Sequence, residues 1–299
     1  MVGNMTESGF AYAKINISLD IISKMPDGFH SMRMVMQTVS LCDEITIECT
    51  PGEGVRISDP GRPFLPSDGR NIAAKAARVF LAHSGITGYK ISIQIKKHIP
   101  VCAGLGGGSA DGACVLRMLD KMFATGLERE ELIQLGSNIG SDVPYCVFGG
   151  TKLAEGRGEV LTDLPPLPPC HIVICKPRFS FSTPELFRQI NCKRIRSRPD
   201  TDGIIKSIEN NDLEGIARRM YNVFEDALPR GKHEIEGIKY SLLDNGALGA
   251  VMSGSGPAVF GVFNDKSNAQ KAYESLKQEY KECFMAESVN TMRYGIDAY

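Results

Sequence analysis

The most informative stretch of the chain is Pro100-Val101-Cys102-Ala103-Gly104-Leu105-Gly106-Gly107-Gly108-Ser109-Ala110-Asp111. It follows residues 91–95, where Ile alternates with polar residues as in a strand, and it precedes residues with helical periodicity. Glycine has no Cβ, so the backbone can turn tightly and a ligand can approach it closely. The following helix presents unpaired N–H groups and the positive end of its dipole. We therefore expect a phosphate-binding loop; the alternative is a flexible turn between ordinary elements.

This loop matches neither of the two commonest phosphate-binding motifs. A P-loop needs Lys followed by Ser or Thr after its glycines, and no Lys follows Gly108. The dinucleotide-binding pattern needs a third Gly where this chain has Ser109, and it belongs to a βαβ unit. The residues after the loop are mainly helical in pattern. The sequence therefore predicts phosphate binding by another fold.

Composition excludes several classes of protein. The chain has 299 residues, 42% hydrophobic and 23% charged, which is ordinary for a globular protein. Its net charge of −1 predicts no general attraction to nucleic acid or to an anionic membrane surface. The basic segment Lys193–Arg198 is therefore interpreted as a solvated loop. Nine cysteines without a Cys-x-x-Cys pair favour reduced thiols in a cytoplasm over a disulfide framework or a metal cluster. We expect neither a secretory signal nor a membrane-spanning helix.

The order of the predicted elements indicates an α+β protein with largely antiparallel sheets in two lobes. Strands and helices are mixed without strict βαβ alternation. Residues 145–153 are predicted to form a strand, and residues 211–225 a helix. The proline-rich residues 165–169 form a stiff connector, where we place the domain boundary.

Three polar residues are candidates for chemistry. Lys14 and Asn16 share the polar face of the first alternating strand, and small, apolar neighbours suggest a tight site around Lys14 that needs an anionic partner. Asp142 lies in a break between a helix and an apolar segment. If the two met, Asp142 could accept a proton from a hydroxyl while Lys14 offset the charge on its oxygen. The alternatives are a surface lysine and an ordinary turn or cap residue.

Two further segments could contact a ligand. Phe29 and His30 follow the turn Asp27-Gly28 and could hold a planar polar ring by stacking and hydrogen bonding. Alternatively, Phe29 closes the edge of the core. The turn Ser253-Gly254-Ser255-Gly256 could also approach a ligand closely, although such turns are common.

These segments, in this order, resemble the GHMP kinase superfamily. The loop is similar to its phosphate-binding motif, Pro-x-x-x-Gly-Leu-Gly-x-x-Ser. The resemblance is closest to a branch that phosphorylates the 2-hydroxyl of a cytidine-diphosphate-linked methylerythritol in the non-mevalonate route to isoprenoid precursors. It runs from about residue 9 to 290 and is carried by Ala13-Lys14-Ile15-Asn16, Pro26-Asp27-Gly28-Phe29-His30, the Gly-rich loop, Ser141-Asp142-Val143-Pro144, Glu155-Gly156-Arg157-Gly158-Glu159 and Ser253-Gly254-Ser255-Gly256.

The resemblance implies a fold and a set of roles. It implies an N-terminal lobe like ribosomal protein S5 (residues 1–164), a ferredoxin-like C-terminal lobe (165–299) and an active site in the cleft between them. ATP and Mg²⁺ would be the cofactors, with Lys14 and Asp142 as the catalytic pair and Ser109 near the metal. The nucleotide would contact Pro100, Val101, Cys102, Ala103, Gly104, Leu105, Gly106, Gly107, Gly108, Ser109, Ala110, Lys97 and Asn71. The cytidyl substrate would contact Asn16, Phe29, His30, Thr183 and Phe187.

The chain departs from the family pattern in three places. Phe29 stands where Tyr is usual, Ala110 replaces a second Ser, and Arg157 occupies a variable position. We expect Asp111 to point toward Mg²⁺ or away from the phosphates, because a carboxylate faces phosphate unfavourably. The alternative functions are another small-molecule kinase, such as a mevalonate or homoserine kinase, and a nucleotide-binding regulator without catalysis. We expect a monomer or a weak homodimer.

Overall fold

The alternating N-terminal segment forms one long strand of a seven-stranded sheet. The computed structural model describes residues 3–192, 195 and 197–290, so part of the basic segment lies outside it. The strands of this sheet are β1 (Met5–Lys24), β2 (His30–Pro51), β3 (Gly54–Asp59), β4 (Tyr89–Lys96), β5 (Thr151–Gly156), β6 (Val160–Asp163) and β8 (Tyr221–Asn222).

Strand β2 is the centre of this sheet, because it pairs antiparallel with β1, β4 and β5. Strands β3 and β4 are parallel, as are β1 and β8. The register of β1 against β2 shifts between Tyr12 and Lys14 and again between Asn16 and Ser18. Such irregularities redirect side chains, and here they flank the two polar residues that the sequence singled out.

Four helices complete this half of the molecule: α1 (Ile72–Ser84), α2 (Gly107–Phe123), α3 (Arg129–Ile139) and α4 (Val143–Phe148). Helix α2 is buried along most of its length and contacts α1, α4 and β1. Because α2 begins at Gly107, its packing holds the end of the Gly-rich loop at the face of β1.

The second sheet is antiparallel, in the order β11-β7-β10-β9. Its strands are β7 (His171–Lys176), β9 (Gly249–Met252), β10 (Val259–Phe263) and β11 (Glu282–Glu287), and its helices are α8 (Lys232–Asp244) and α9 (Lys266–Glu279). Between β7 and α8 the chain forms α5 (Thr183–Gln189), α6 (Thr201–Glu209), α7 (Leu213–Ala217), β8 and a 3₁₀ turn at Val223–Ala227. The boundary at 164/165 stays a prediction.

Two sequence-based expectations are wrong. Residues 143–148 form helix α4 rather than the beginning of a strand, with Pro144 in its first turn, and the strand begins only at Thr151. Residues 143–147 are all buried, so they show no periodicity that separates a short helix from a strand. The expected helix at 211–225 is broken into α7, β8 and the 3₁₀ turn, because the chain there crosses to pair with β1.

The expected α+β class with largely antiparallel sheets is confirmed. All nine cysteines are free. Among the described residues, we find no helix with the length and apolar character to cross a membrane.

Candidate active site

A cavity of about 1520 Å³ runs along the Gly-rich loop and is walled by both halves of the molecule. Sites for one drug-sized ligand measure roughly 300–1,000 Å³, so this cavity has room for two ligands. It brings together every residue that the sequence assigned to a site except Ala110. Residues between Lys14 and Gly256 therefore meet at one place.

The Gly-rich loop forms the middle of the cavity wall. Gly106 is the N-cap of α2, with φ 68° and ψ 16°. Being a glycine, it has no side chain that could cap the helix. The first N–H groups of a helix have no partner within the helix. Without a capping side chain, these groups and the positive end of the α2 dipole are directed at the cavity, as an anion site requires.

The turn Ser253–Gly256 holds this loop from the C-terminal side. The Ser253 hydroxyl donates to the Gly104 carbonyl over 3.0 Å, and the Ala258 N–H donates to the Ala103 carbonyl over 3.1 Å. Gly104 has φ 77°, and a Cβ there would collide with the Ser253 carbonyl. The glycine is thus required both by its backbone conformation and by the closeness of the two loops.

Lys14 and Asp142 meet beside the loop, as proposed from the sequence. The Lys14 Nζ lies 3.4 Å from Asp142 Oδ2, and it donates to Asn16 Oδ1 over 2.7 Å. Lys14 is buried, whereas the Asp142 side chain is 31% exposed and lines the cavity. Asp142 is the N-cap of α4 but makes no side-chain capping bond. Its carboxylate is therefore oriented by Lys14 and open to a ligand.

An aromatic cluster forms another part of the cavity wall. The His30 ring stacks on Phe187, with centroids 4.9 Å apart and planes at 23°. Burial, and then the nearby Lys24 charge, lower the pKa of His30 below its ordinary value of 6.5. The imidazole is therefore neutral at pH 7 and can both donate and accept a hydrogen bond. Thr183 lies beside the cluster, with its hydroxyl 2.8 Å from that of Ser255.

Asn71 and Lys97 line the cavity beside the Gly-rich loop, but their polar groups have partners within the protein. Asn71 caps α1, where its Oδ1 accepts from the Ala73 N–H and its Nδ2 donates to the Pro66 carbonyl. The Lys97 ammonium donates to Asp43 and to Asp111. Both residues therefore hold the wall of the cavity in place.

Ala110 is the one predicted site residue that does not line the cavity. Its side chain is buried, and its N–H donates to the Gly106 carbonyl over 2.8 Å. The Ala110 N–H is thus used by the first helical hydrogen bond of α2, and its contact with a nucleotide stays a prediction.

The two carboxylates near the loop differ in their fitness for Mg²⁺. Asp111 Oδ2 is bonded to Lys97, and its Oδ1 is sealed from solvent without a hydrogen-bond partner. Asp111 also lines the cavity, but its buried carboxyl group faces Lys97 rather than a ligand. The Asp142 carboxylate and Ser109 line the cavity as well, and Asp142 is partly exposed there. One carboxylate and one hydroxyl fit a Mg²⁺ ion that is held mainly by nucleotide phosphates and water.

Sequence reasoning missed two residues of this site. Arg157 places its guanidinium 4.3 Å from the centroid of the Phe29 ring and forms an ion pair with Asp27. Asp43 is fully buried and bonds Lys97 from 54 residues away in the chain. Arg157 was noticed only as a variable position. No local pattern marks Asp43 as a partner of the loop.

Comparison with known proteins agrees with this geometry. The family model for the GHMP kinases N terminal domain matches residues 71–150, and the one for the GHMP kinases C terminal domain matches residues 204–282. A 4-diphosphocytidyl-2-C-methyl-D-erythritol kinase of Clostridium botulinum is 43% identical over 279 residues, which cover 93% of this chain and 99% of the relative. The enzyme of that name from Clostridium perfringens is 42% identical over 283 residues, covering 94% and 98%.

Solved structures give the same result. A crystal structure of 4-(cytidine 5'-diphospho)-2C-methyl-D-erythritol kinase matches with a TM-score of 0.79 and 27% identity, covering 94% of this chain and 98% of the other. A homoserine kinase from Cytophaga hutchinsonii matches with a TM-score of 0.75 at 22% identity over 96% of each chain, which shows a shared fold. Together with the Gly-rich loop and the Lys14–Asp142 pair, these matches show that the chain belongs to the GHMP kinase family.

Proposed function

We propose that this protein is an ATP-dependent kinase that phosphorylates the 2-hydroxyl of 4-(cytidine 5'-diphospho)-2-C-methyl-D-erythritol. The observation that carries the proposal is the meeting of Lys14 and Asp142 beside the N-terminus of α2. Phosphoryl transfer depends mostly on positioning and charge stabilisation. A phosphate cradle, one buried ammonium and one partly exposed carboxylate provide both at a single place.

The catalytic step uses the two side chains differently. The substrate hydroxyl oxygen forms a bond to the γ-phosphorus of ATP while the bond from that phosphorus to the β–γ bridging oxygen breaks. The hydroxyl proton passes to the Asp142 carboxylate, which lines the cavity. The Lys14 ammonium, held by Asn16 and Asp142, offsets negative charge at the reacting oxygens.

The loop residues 100–109 would hold the ATP phosphates, with Asn71 and Lys97 shaping the wall on the nucleoside side. Ser109 would contribute its hydroxyl to Mg²⁺, since it lines the cavity next to the loop glycines. Bound Mg²⁺ would neutralise charge on the phosphates. This assignment is supported by the direction of the α2 N-terminus and by the Asp142 carboxylate on the same wall.

The aromatic cluster would bind the cytosine. A neutral His30 can pair with the ring edge, while Phe29 and Phe187 offer faces for stacking. The His30 ring now covers one face of Phe187, so a base on that face would displace His30 toward the edge of the base. Asn16 and Thr183 would contact the substrate between the cytosine and the reacting hydroxyl.

A coupled assay for ADP release tests the function. Purified protein is supplied with Mg²⁺ and ATP and with the cytidyl alcohol, mevalonate or homoserine in parallel. Turnover on the cytidyl alcohol alone is the expected result. Turnover on mevalonate or homoserine would support the proposed kinase activity and contradict the proposed cytosine site. ATP binding without turnover on any alcohol would favour a nucleotide-binding regulator.

We also propose that the protein works in a cytoplasm as a monomer or a weak homodimer. Nine free cysteines suit a reducing compartment. Sedimentation at several protein concentrations measures the oligomeric state, and a stable higher oligomer would contradict the proposal.

A further inference from the structure

Three buried ionisable residues lie beneath the Gly-rich loop. Asp43 is fully buried, and Lys97 and Asp111 are 8% and 4% exposed. The Lys97 Nζ lies 2.5 Å from Asp43 Oδ2 and 2.7 Å from Asp111 Oδ2. We call these residues the buried triad. It joins the middle of β2, the residue after β4 and helix α2, which are three separate elements of the N-terminal half.

The buried triad contacts the backbone just before the loop and the helix that follows it. On the entry side, Asp43 Oδ1 accepts hydrogen bonds from the N–H groups of His98 (2.6 Å) and Ile99 (2.8 Å), directly before Pro100. On the exit side, Asp111 lies in α2, one turn after Gly107. Lys97 connects the two carboxyl groups. The path of the loop between them is therefore set by one continuous network.

The buried triad lowers the stability of the folded state in two ways, which a purely structural role would not explain. Two carboxyl groups share one ammonium, and Asp111 Oδ1 is buried without a hydrogen-bond partner. Burial raises the pKa of Asp111 well above its usual range, although the Lys97 charge opposes the shift. An unbonded buried polar atom lowers stability, because it loses its hydrogen bonds to water without replacement. Apolar residues of similar volume often replace buried ion pairs without loss of stability. Stability alone thus gives no reason for Asp111.

We propose that the buried triad positions the phosphate-binding loop, with Asp111 and Asp43 acting as positioning residues for ATP. The proposal rests on the ATP binding proposed above. The loop N–H groups bind phosphate only where the backbone places them, and a displacement of a fraction of an ångström weakens several hydrogen bonds at once. Asp111 lines the cavity, but its Oδ1 is sealed from solvent and its Oδ2 is bonded to Lys97, so we expect its effect on ATP to be exerted through Lys97 and α2.

Calorimetric titration of ATP into the full-length protein tests this without depending on the alcohol substrate. The ATP affinities can therefore be interpreted even if the cytidyl substrate is wrongly assigned. In Asp111→Leu we expect about tenfold weaker ATP binding, the scale of one charge-assisted hydrogen bond, with an unchanged or higher melting temperature. Asp111→Asn keeps an acceptor for Lys97 and should restore most of the affinity.

Lys152→Met is the matched control. Lys152 is also a buried lysine of the N-terminal half, 6% exposed and paired with Asp163, but it does not line the cavity. Its loss should lower the melting temperature and leave ATP affinity unchanged. If Asp111→Leu does not fold, the double variant Lys97→Met/Asp111→Leu removes both unlike charges together, and Asp43 keeps its two backbone donors. Wild-type affinity in the folded Asp111 variant, or an equal loss in Lys152→Met, would overturn the proposal.

Discussion

Replacement of Gly106 by Ala tests whether the Gly-rich loop positions Lys14, the lysine that we propose for catalysis. A Cβ at Gly106 would lie 2.9 Å from Lys14 Cγ and 3.2 Å from Lys14 Cε. Carbon atoms pack best at about 3.5–4.0 Å, so the Lys14 stem must retreat by roughly half an ångström or more. Its ammonium, bonded to Asn16 and Asp142, cannot retreat without lengthening those contacts.

The substitution Gly106→Ala should have two effects, a loss of stability from the backbone conformation and a loss of kcat from the contact with Lys14. A matched variant separates them. Gly106 has a left-handed backbone, which costs Ala about 1–2 kcal/mol of stability. Gly85 has nearly the same backbone (φ 67°, ψ 12°) and no atom within 4 Å of a Cβ. Gly85→Ala therefore carries the backbone cost alone. A misplacement near 1 Å at a reacting group can cost about 100-fold in rate. We expect kcat to fall by about that factor in Gly106→Ala only.

The assay measures kcat at saturating ATP and alcohol, together with the melting temperature of each variant. Gly106→Ala should lose at least as much stability as Gly85→Ala, because it adds the contact with Lys14 to the backbone cost, and Gly85→Ala should keep the wild-type kcat. A kcat for Gly106→Ala that matches that of Gly85→Ala would refute the reasoning, because the contact with Lys14 would then have no catalytic consequence.

Three further predictions concern single side chains. Asp142→Asn should lower kcat by orders of magnitude with ATP affinity nearly unchanged, since we propose that Asp142 accepts the proton and is not part of the phosphate cradle; an unchanged kcat in the ADP-release assay would remove it from the mechanism. His30→Ala should raise KM for the cytidyl substrate and leave KM for ATP unchanged. Equal effects on both KM values would contradict the cytosine assignment. In the wild type, burial and the Lys24 charge lower the pKa of His30, so the rise in KM for the cytidyl substrate as pH falls should be centred below the ordinary imidazole value of 6.5. Arg157→Ala should raise KM for the cytidyl substrate about three- to tenfold, the scale of a lost cation–π contact, whereas the exposed Arg218→Ala should not; equal kinetics in the two variants would count against a role for Arg157.

Local patterns predicted the class of fold and much of the candidate site. The alternation of apolar and polar residues predicted β1 and β4, and the spacing of the glycines predicted the phosphate-binding loop. Each of these signals lies within one continuous segment. Helix α4 was missed because burial on all sides removes the periodicity of a short element. Asp43 was missed because its partners, Lys97 and the N–H groups of residues 98 and 99, lie more than 50 residues away. Such contacts depend on how β2 and β4 are paired, which one sequence without relatives does not reveal.

The resemblance to the kinase family implies Tyr at position 29, and the structure shows what supports Phe29 in its place. A tyrosine could be oriented by a hydrogen bond from its hydroxyl, and Phe29 has none. Here the Arg157 guanidinium covers the ring, and Asp27, in the same turn as Phe29, holds the guanidinium by an ion pair. Asp27 also accepts from the Phe29 N–H over 3.0 Å, so the carboxylate fixes the backbone and the ring of the same residue. Phe29 is 54% exposed, and an aromatic ring so exposed needs such support to present a fixed face to a base. Arg157, at a position that the resemblance implies to be variable, thus carries the interaction that orients the ring in this chain.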